Sequence, residues 1–332
     1  MPKLSEIAAA LEGELHGPAD LEIAMVGPHT AAESGQIAVA FNAKALAQVE
    51  ATQASAVVLP ENLASKLPYI NVAKPPEALL KLLYLFAPTA PAPAGIHPTA
   101  VFDPSVQFGA DVTVGPYAVI EAGAVLGARC RIGAHCVIGP DVRLGDDVVL
   151  YPHVTLYDQV LLGNRVTLHS GVVIGGNGFG YLPVEGRYER IPQLGSVVLE
   201  DDVELGCNVT VDRATMGITR IGRGTKFDDH VHVGHNASVG SDTVIAAQTG
   251  IAGSSHVGNN CVLGGQVGIG DHINIGDGVK MGSQSGTIRS LPDGVEVMGT
   301  LPLPLMEYMK LQQLLPKLRE LFKRVEKLEK PK

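Results

Sequence analysis

The chain of 332 residues is 45% hydrophobic and only 18% charged, which is the composition of a folded chain long enough for two domains and not of a disordered one. Its formal net charge of −9 gives no electrostatic reason to bind nucleic acid or an anionic membrane surface, and no apolar run of about 18 residues is present to span a bilayer. Aromatic residues make up 5%, Trp is absent and Gly numbers 39, so the fold should turn often and pack aliphatic side chains.

The opening stretch "MPKLSEIAAALEGELHG" has no basic segment followed by an apolar one, so no signal peptide is expected and a cytoplasmic location follows. Cys130, Cys136, Cys207 and Cys261 form no CxxC pair, which argues against a disulfide framework. The first 88 residues switch period repeatedly. They predict a helix at Leu4–Leu11, a strand at Ile37–Ala40, a helix at Ala43–Ala51, strands at Ala56–Leu59 and Tyr69–Val72, and a helix at Pro76–Phe86 led in by proline. The expectation is a small α/β recognition domain (1–88). A Pro/Ala segment, "APTAPAPAGIHP", residues 87 to 98, should then run stiff and extended.

From Ile96 to Ile174 every sixth residue is large and apolar, as in Leu126, Ile132, Ile138 and Leu144. The frame breaks at "GGNGFGYLPVEGRYERIPQLG", resumes at Leu199, Leu205 and Val211, breaks again at "DRATMGITR", and continues from Ile221 to Met281. Four residues after each large position stands a small or β-branched one, such as Ala118, Cys130 and Val142. A period of six fits neither a helix nor an alternating strand; it fits a solenoid in which three hexads close one triangular coil around an apolar interior. The glycine that often follows the large residue should permit either close backbone approach or a positive φ at the bend. Cys130, Cys136 and Cys261 take the small inward slot and read as buried hydrophobes. The domain is expected to cover 96–290.

Beyond it, 303–330 reads as a helical extension with apolar spacing at Leu311, Leu314, Leu318, Leu321, Val325 and Leu328, kinked or split at Pro316. Its basic cluster, Lys317, Arg319, Lys323, Arg324 and Lys327, is either a solvated helix face or a docking face for an acidic carrier protein.

The hexads resemble those of the hexapeptide acyltransferases. The resemblance implies a mainly β fold, a left-handed parallel β-helix with a small N-terminal α/β domain and C-terminal helices, assembled as a homotrimer with active sites in the grooves between prisms. Within that class, "GGNGFGY", "RIPQLG", "VTVDRAT", "GHN" and "GDHINIG", with "FNAK" and "QASAVVL" upstream, resemble the UDP-3-O-(3-hydroxyacyl)glucosamine N-acyltransferase family of lipid A biosynthesis. That family moves a 3-hydroxyacyl chain from the phosphopantetheine thioester of acyl carrier protein to the 2-amine of a UDP-linked, O-3-acylated glucosamine; no separate cofactor or metal is implied.

Such chemistry needs a base for the attacking amine and a donor for the tetrahedral oxyanion. The resemblance assigns the base to His235, its carboxylate partner to Asp228, and the oxyanion donor to the backbone N–H of Gly253, eighteen residues and therefore one coil further on. His272 is placed beside the donor arm, or else is a turn histidine without catalytic weight. Phe41 and Asn42 are expected at the uridine, because Val39 and Ala45 stand where the family carries its aromatic residues, and Asn236 is a candidate sugar or phosphate contact. His230 and His235 have a zinc-like His-x4-His spacing, but positions two coils earlier hold Leu194 and Leu199, so a third ligand is missing and no metal is expected. Two other readings compete. One is a nucleotide-sugar N-acetyltransferase using acetyl-CoA. The other is a purely structural β-helix, which would leave the alignment of His235 with Gly253 without a purpose.

Overall fold

The computed structural model describes residues 1–87, 95–299 and 303–329. Two compact units divide the chain, Met1–Pro91 and Ala92–Lys332.

In the first unit, α1 (Leu4–Leu11), α2 (Ala43–Glu50) and α3 (Pro75–Phe86) accompany strands β1 (Glu14–His16), β2 (Met25–Val26), β3 (Gln36–Val39), β4 (Ala56–Pro60) and β5 (Tyr69–Val72). The sheet order is β1-β5-β4-β3-β2, parallel except where β1 pairs with β5. Helices cover both faces, and Ala56, Val57, Val58 and Leu59 are accordingly all buried, as expected of a strand in a parallel sheet without a solvated side. One face packs Leu4, Ile7 and Leu82 against Ile37, Val58 and Ile70; the other packs Leu46 and Val49 against Ala38, Val57 and Leu59. The sequence reading had no signal for β1 and β2, three and two residues long and only partly buried. Most of the Pro/Ala segment, residues 88–94, lies outside the described residues.

The second unit is the prism. Its strands are mostly two residues long and form three parallel sheets. The first face holds ten strands from Thr113–Val114 to Glu296–Val297, the second ten from Val101–Phe102 to Gly286–Thr287, and the third nine from Gln107–Phe108 to Asn274–Ile275. Each strand pairs with the strand one coil on, so Val125 lies against Arg143 and Leu126 against Leu144, eighteen residues apart. The large hexad residues and their small companions are both buried, and together they make one continuous apolar interior from Val112 to Met281. Burial pushes the Cys130 and Cys136 thiols up to about 11, in keeping with their role as filling.

The two readings offered for the hexad glycine separate cleanly. The positive φ falls two residues later, mostly on non-glycine residues such as Asp147 (58°), His230 (60°), Asn236 (62°) and His272 (57°), and at some coils on a glycine of that slot such as Gly123 (74°). The glycines make room for the backbone of the next coil instead: a Cβ on Gly133 would lie 2.6 Å from Pro152 N. The left-handed residues stack in columns, where Arg129 grips Asp147 through two hydrogen bonds and Gln284, Gln266 and Gln248 form an amide ladder.

Both interruptions are excursions from a coil that still closes. In the first, Tyr181–Val184 and Arg187–Arg190 form an antiparallel hairpin, and Ile174 pairs with Val211 across the insertion. In the second, Ala214–Gly217 makes a short loop before Ile218–Ile221 rejoins its sheet. After the prism, α4 (Leu305–Leu314) and α5 (Leu318–Glu329) are separated by a 3-10 turn at Leu315–Lys317, so Pro316 splits the helix. Their apolar side chains, Leu311, Leu318 and Val325 among them, are exposed in the single chain.

Gly133→Ala forces backbone against backbone and should cost about 1–3 kcal/mol, as overpacking does. Asn260→Gly, in a left-handed slot with φ 54°, should stay within about 1 kcal/mol, because relief of strain offsets the added chain entropy. Thermal denaturation of the two variants checks the contrast.

Candidate active site

His235 stands on the turn after the second-face strand His232–Val233, two residues beyond inward Val233. The next coil brings Ile251 opposite Val233, and Ser254 N–H donates to the His235 carbonyl at 2.9 Å, so Gly253 is stacked directly on His235. A Cβ on Gly253 would lie 2.7 Å from His235 Nε2. Gly178 of the first interruption also lies against the ring, where a Cβ would be 3.0 Å from Cγ and Cδ2. Two glycines from distant parts of the chain thus leave a slot for the imidazole. The Gly253 N–H makes no hydrogen bond among the described residues.

The imidazole is oriented by hydrogen bonds. His235 Nδ1 lies 3.1 Å from Asn236 Oδ1, which also accepts from Thr215 N–H at 2.9 Å, while Asn236 Nδ2 donates to the Met216 carbonyl. These contacts fix which end of the amide faces the ring. An oxygen there requires the proton on Nδ1 and leaves the lone pair on Nε2, the atom beside Gly253. Thr215 Oγ1 in turn donates to Gln193 Oε1 at 3.0 Å, which ties the "RIPQLG" stretch into the same chain. A cleft of about 550 Å³ opens over His235, lined by Phe179, Tyr181, Tyr188, Ile191 and Thr215.

Asp228 is not at this ring within the chain. It follows a first-face strand, whereas His235 follows a second-face strand, so the two occupy different corners of the prism. Its carboxylate accepts from Asp229 N–H (2.8 Å) and Ala247 N–H (3.2 Å). Within the chain Asn236 holds the place beside the ring, and with both ends of its amide engaged it orients the His235 imidazole; the sequence reading expected it as a sugar or phosphate contact.

The neighbouring histidines diverge. His230 is a left-handed turn residue at the Asp228 corner; His232 points outward, with Nδ1 2.8 Å from Thr210 Oγ1 and Nε2 3.7 Å from Asp212. Among the described residues no three His, Cys, Asp or Glu side chains are grouped to hold a metal ion. His272 lies two coils beyond Asn236 in the left-handed column, exposed and 2.9 Å from Asp271. In the first unit Phe41 is exposed, and Asn42 caps α2 by accepting from Ala45 N–H at 2.9 Å.

Sequence reasoning overlooked three contributors. Gly178 was hidden among other glycines. Arg213 occupies an inward position, where a charge demands a partner. It is buried, donating to the Gly175 carbonyl (2.7 Å) and to Asp158, whose carboxyl the guanidinium holds below the usual range. Asp212, beside it, is a half-buried carboxylate.

Comparison with known proteins gives the family. A curated UDP-3-O-acylglucosamine N-acyltransferase from Syntrophotalea carbinolica is 52% identical, over 99% of this chain and 98% of its own length. Another, from Methylacidiphilum infernorum, is 50% identical over 98% and 94%. The chain belongs to the UDP-3-O-acylglucosamine N-acyltransferase family. The family described as UDP-3-O-(3-hydroxymyristoyl) glucosamine N-acyltransferase, LpxD, matches residues 20–85, and the bacterial transferase hexapeptide family matches 105–140. The prism is the left-handed parallel β-helix of that class. Among solved structures, LpxA from Acinetobacter baumannii is 24% identical with a TM-score of 0.50, covering 62% of this chain and 71% of that one. A UDP-N-acetylglucosamine acyltransferase from Francisella novicida gives the same identity and score over 69% and 78%. At that identity the likeness speaks for the fold alone.

For a member of the N-acyltransferase family the glycine slot makes a sharp demand. Gly253→Ala, and separately Gly178→Ala, should displace the ring by about 1 Å and lower turnover about 10²-fold while the fold persists. Steady-state N-acylation rates beside melting curves check this.

Proposed function

We propose that the chain transfers a 3-hydroxyacyl group from the thioester of an acyl carrier protein to the 2-amine of UDP-3-O-acylglucosamine, a step of lipid A biosynthesis. His235 is the general base and the Gly253 N–H the oxyanion donor. The observation that carries the assignment is the pairing of a lone-pair Nε2 with an unengaged backbone N–H one coil away. As the amine nitrogen bonds to the thioester carbonyl, Nε2 takes a proton from it. The oxygen, now negative, accepts from Gly253 N–H. Collapse breaks the carbon–sulfur bond, and the imidazolium returns the proton to the departing thiolate.

The second face supports a long acyl chain. Below His232 its outward slots are Gly250, Gly268 and Gly286, paired in register, and a Cβ on either of the first two would meet nothing within 4 Å. Three glycines two coil steps apart leave a bare floor about 10 Å long. An acetyl donor would need no such strip. His272, two coils along the same edge, suits the phosphopantetheine arm. The exposed Phe41, beside Asn42, suits a uracil ring in the first unit, and the exposed apolar stripe of α5 suits a homotrimer whose grooves would bring one chain's Asp228 corner toward another's His235.

With an acyl carrier protein thioester as donor, His235→Ala should lose at least about 10²-fold in turnover. His230→Ala should retain most activity, and chelators should leave the wild type unchanged. Equal rates with acetyl-CoA and the carrier thioester, or an unimpaired His235→Ala, would overturn the reading.

A further inference from the structure

Asp212 is a carboxylate that the chemistry above leaves unused. It follows inward Val211 on the strand Thr210–Arg213, and because Val211 pairs with Val233, Asp212 lies level with the turn into His235. Its side chain is 17% exposed. In the preceding coil it pairs with Gly176, where even an added Cβ would be 4.0 Å from Oδ1. The charged groups around it are few. His232 brings Nε2 to 3.7 Å, and His235 stands on the turn beyond; Arg213, next in the chain, turns inward to Asp158. Neither Asp212 oxygen accepts a hydrogen bond among the described residues, although the exposed carboxylates of Asp146, Asp228 and Asp229 each accept from backbone. Burial leaves its carboxyl raised on balance, against the opposing pull of His232 and His235. A half-buried carboxylate without a donor is costly unless a ligand completes it.

We propose that Asp212 anchors the acceptor's 2-ammonium and holds the nitrogen between its own carboxylate and Nε2 of His235. The inference rests on the acceptor proposed above and adds the reason that an amine is taken in preference to a hydroxyl. A sugar amine flanked by electron-withdrawing oxygens titrates, like an α-amino group, at about 8, so it arrives largely as a cation. Only a cation gains from an anion in that place. The bound ammonium gives one proton to water and becomes the nucleophilic amine. Its second proton passes through His235 to the leaving sulfur, so each turnover forms the amide and the thiol and releases one proton. The carboxylate stays ionised throughout.

The test separates binding from turnover. In a His235→Ala background, calorimetry follows UDP-3-O-acylglucosamine with and without Asp212→Asn, and UDP alone reports the part of the site that recognises no amine. At about pH 6.5 the added Asp212→Asn should weaken acceptor binding at least about 10-fold, and the gap should close by about pH 9, where the amine is neutral. UDP should bind both proteins equally, which also shows that the variant is folded. Identical acceptor affinities at both pH values would overturn the role of Asp212. Failure of UDP and acceptor to bind either protein would instead overturn the functional reading, and the anchor with it.

Discussion

Each coil of the prism hydrogen-bonds its backbone to the coil eighteen residues on, and the whole site depends on that stacking. Strands of two residues are too short to persist alone; they exist because all but those at the sheet ends are paired on both sides, over an apolar interior. At many coils the hexad glycine leaves room for the backbone of the next coil, as at Gly133 against Pro152. The stacking that builds the solenoid also builds the slot, since Gly253 is the stacking neighbour of His235 and its missing side chain leaves room for the ring.

Stacking alone would leave His235 on an open edge. The two interruptions supply the rest. The first delivers Gly178 against the ring and raises the Tyr181–Arg190 hairpin over the cleft; the second supplies Thr215 and Met216, which lock the Asn236 amide. Arg213 links the two through the Gly175 carbonyl and Asp158, so the departures from the repeat brace one another across three coils. The geometry around His235 thus comes from a regular scaffold and from two places where its regularity is suspended.

The scaffold was legible in the sequence because a period of six is a strong constraint repeated many times, and α1 and β5 fall on their predicted residues because amphipathic spacing and β-branched runs are local signals. The hexad glycine could have served close approach or a positive φ; the fold uses it for contact between coils and puts the left-handed bend two residues later, mostly on Asn, Asp, His and Gln and at some coils on another glycine. Within one chain Asp228 stands away from His235 for a geometric reason. Seven residues from His235 is one hexad plus one residue, which is the next corner of a triangle. Asn236 and Gly178 were out of reach because their roles depend on how the interruptions fold back, and nothing in a local pattern encodes that.

The account turns on one proton. Nitrogen-15 NMR of the histidine-labelled protein, with His235 assigned by its alanine variant, reports which ring nitrogen carries hydrogen at neutral pH. The predicted result is a protonated Nδ1 and a free, pyridine-like Nε2, with the preference lost in Asn236→Ala. A resting His235 with its proton on Nε2 would leave no base facing Gly253, and would contradict the account.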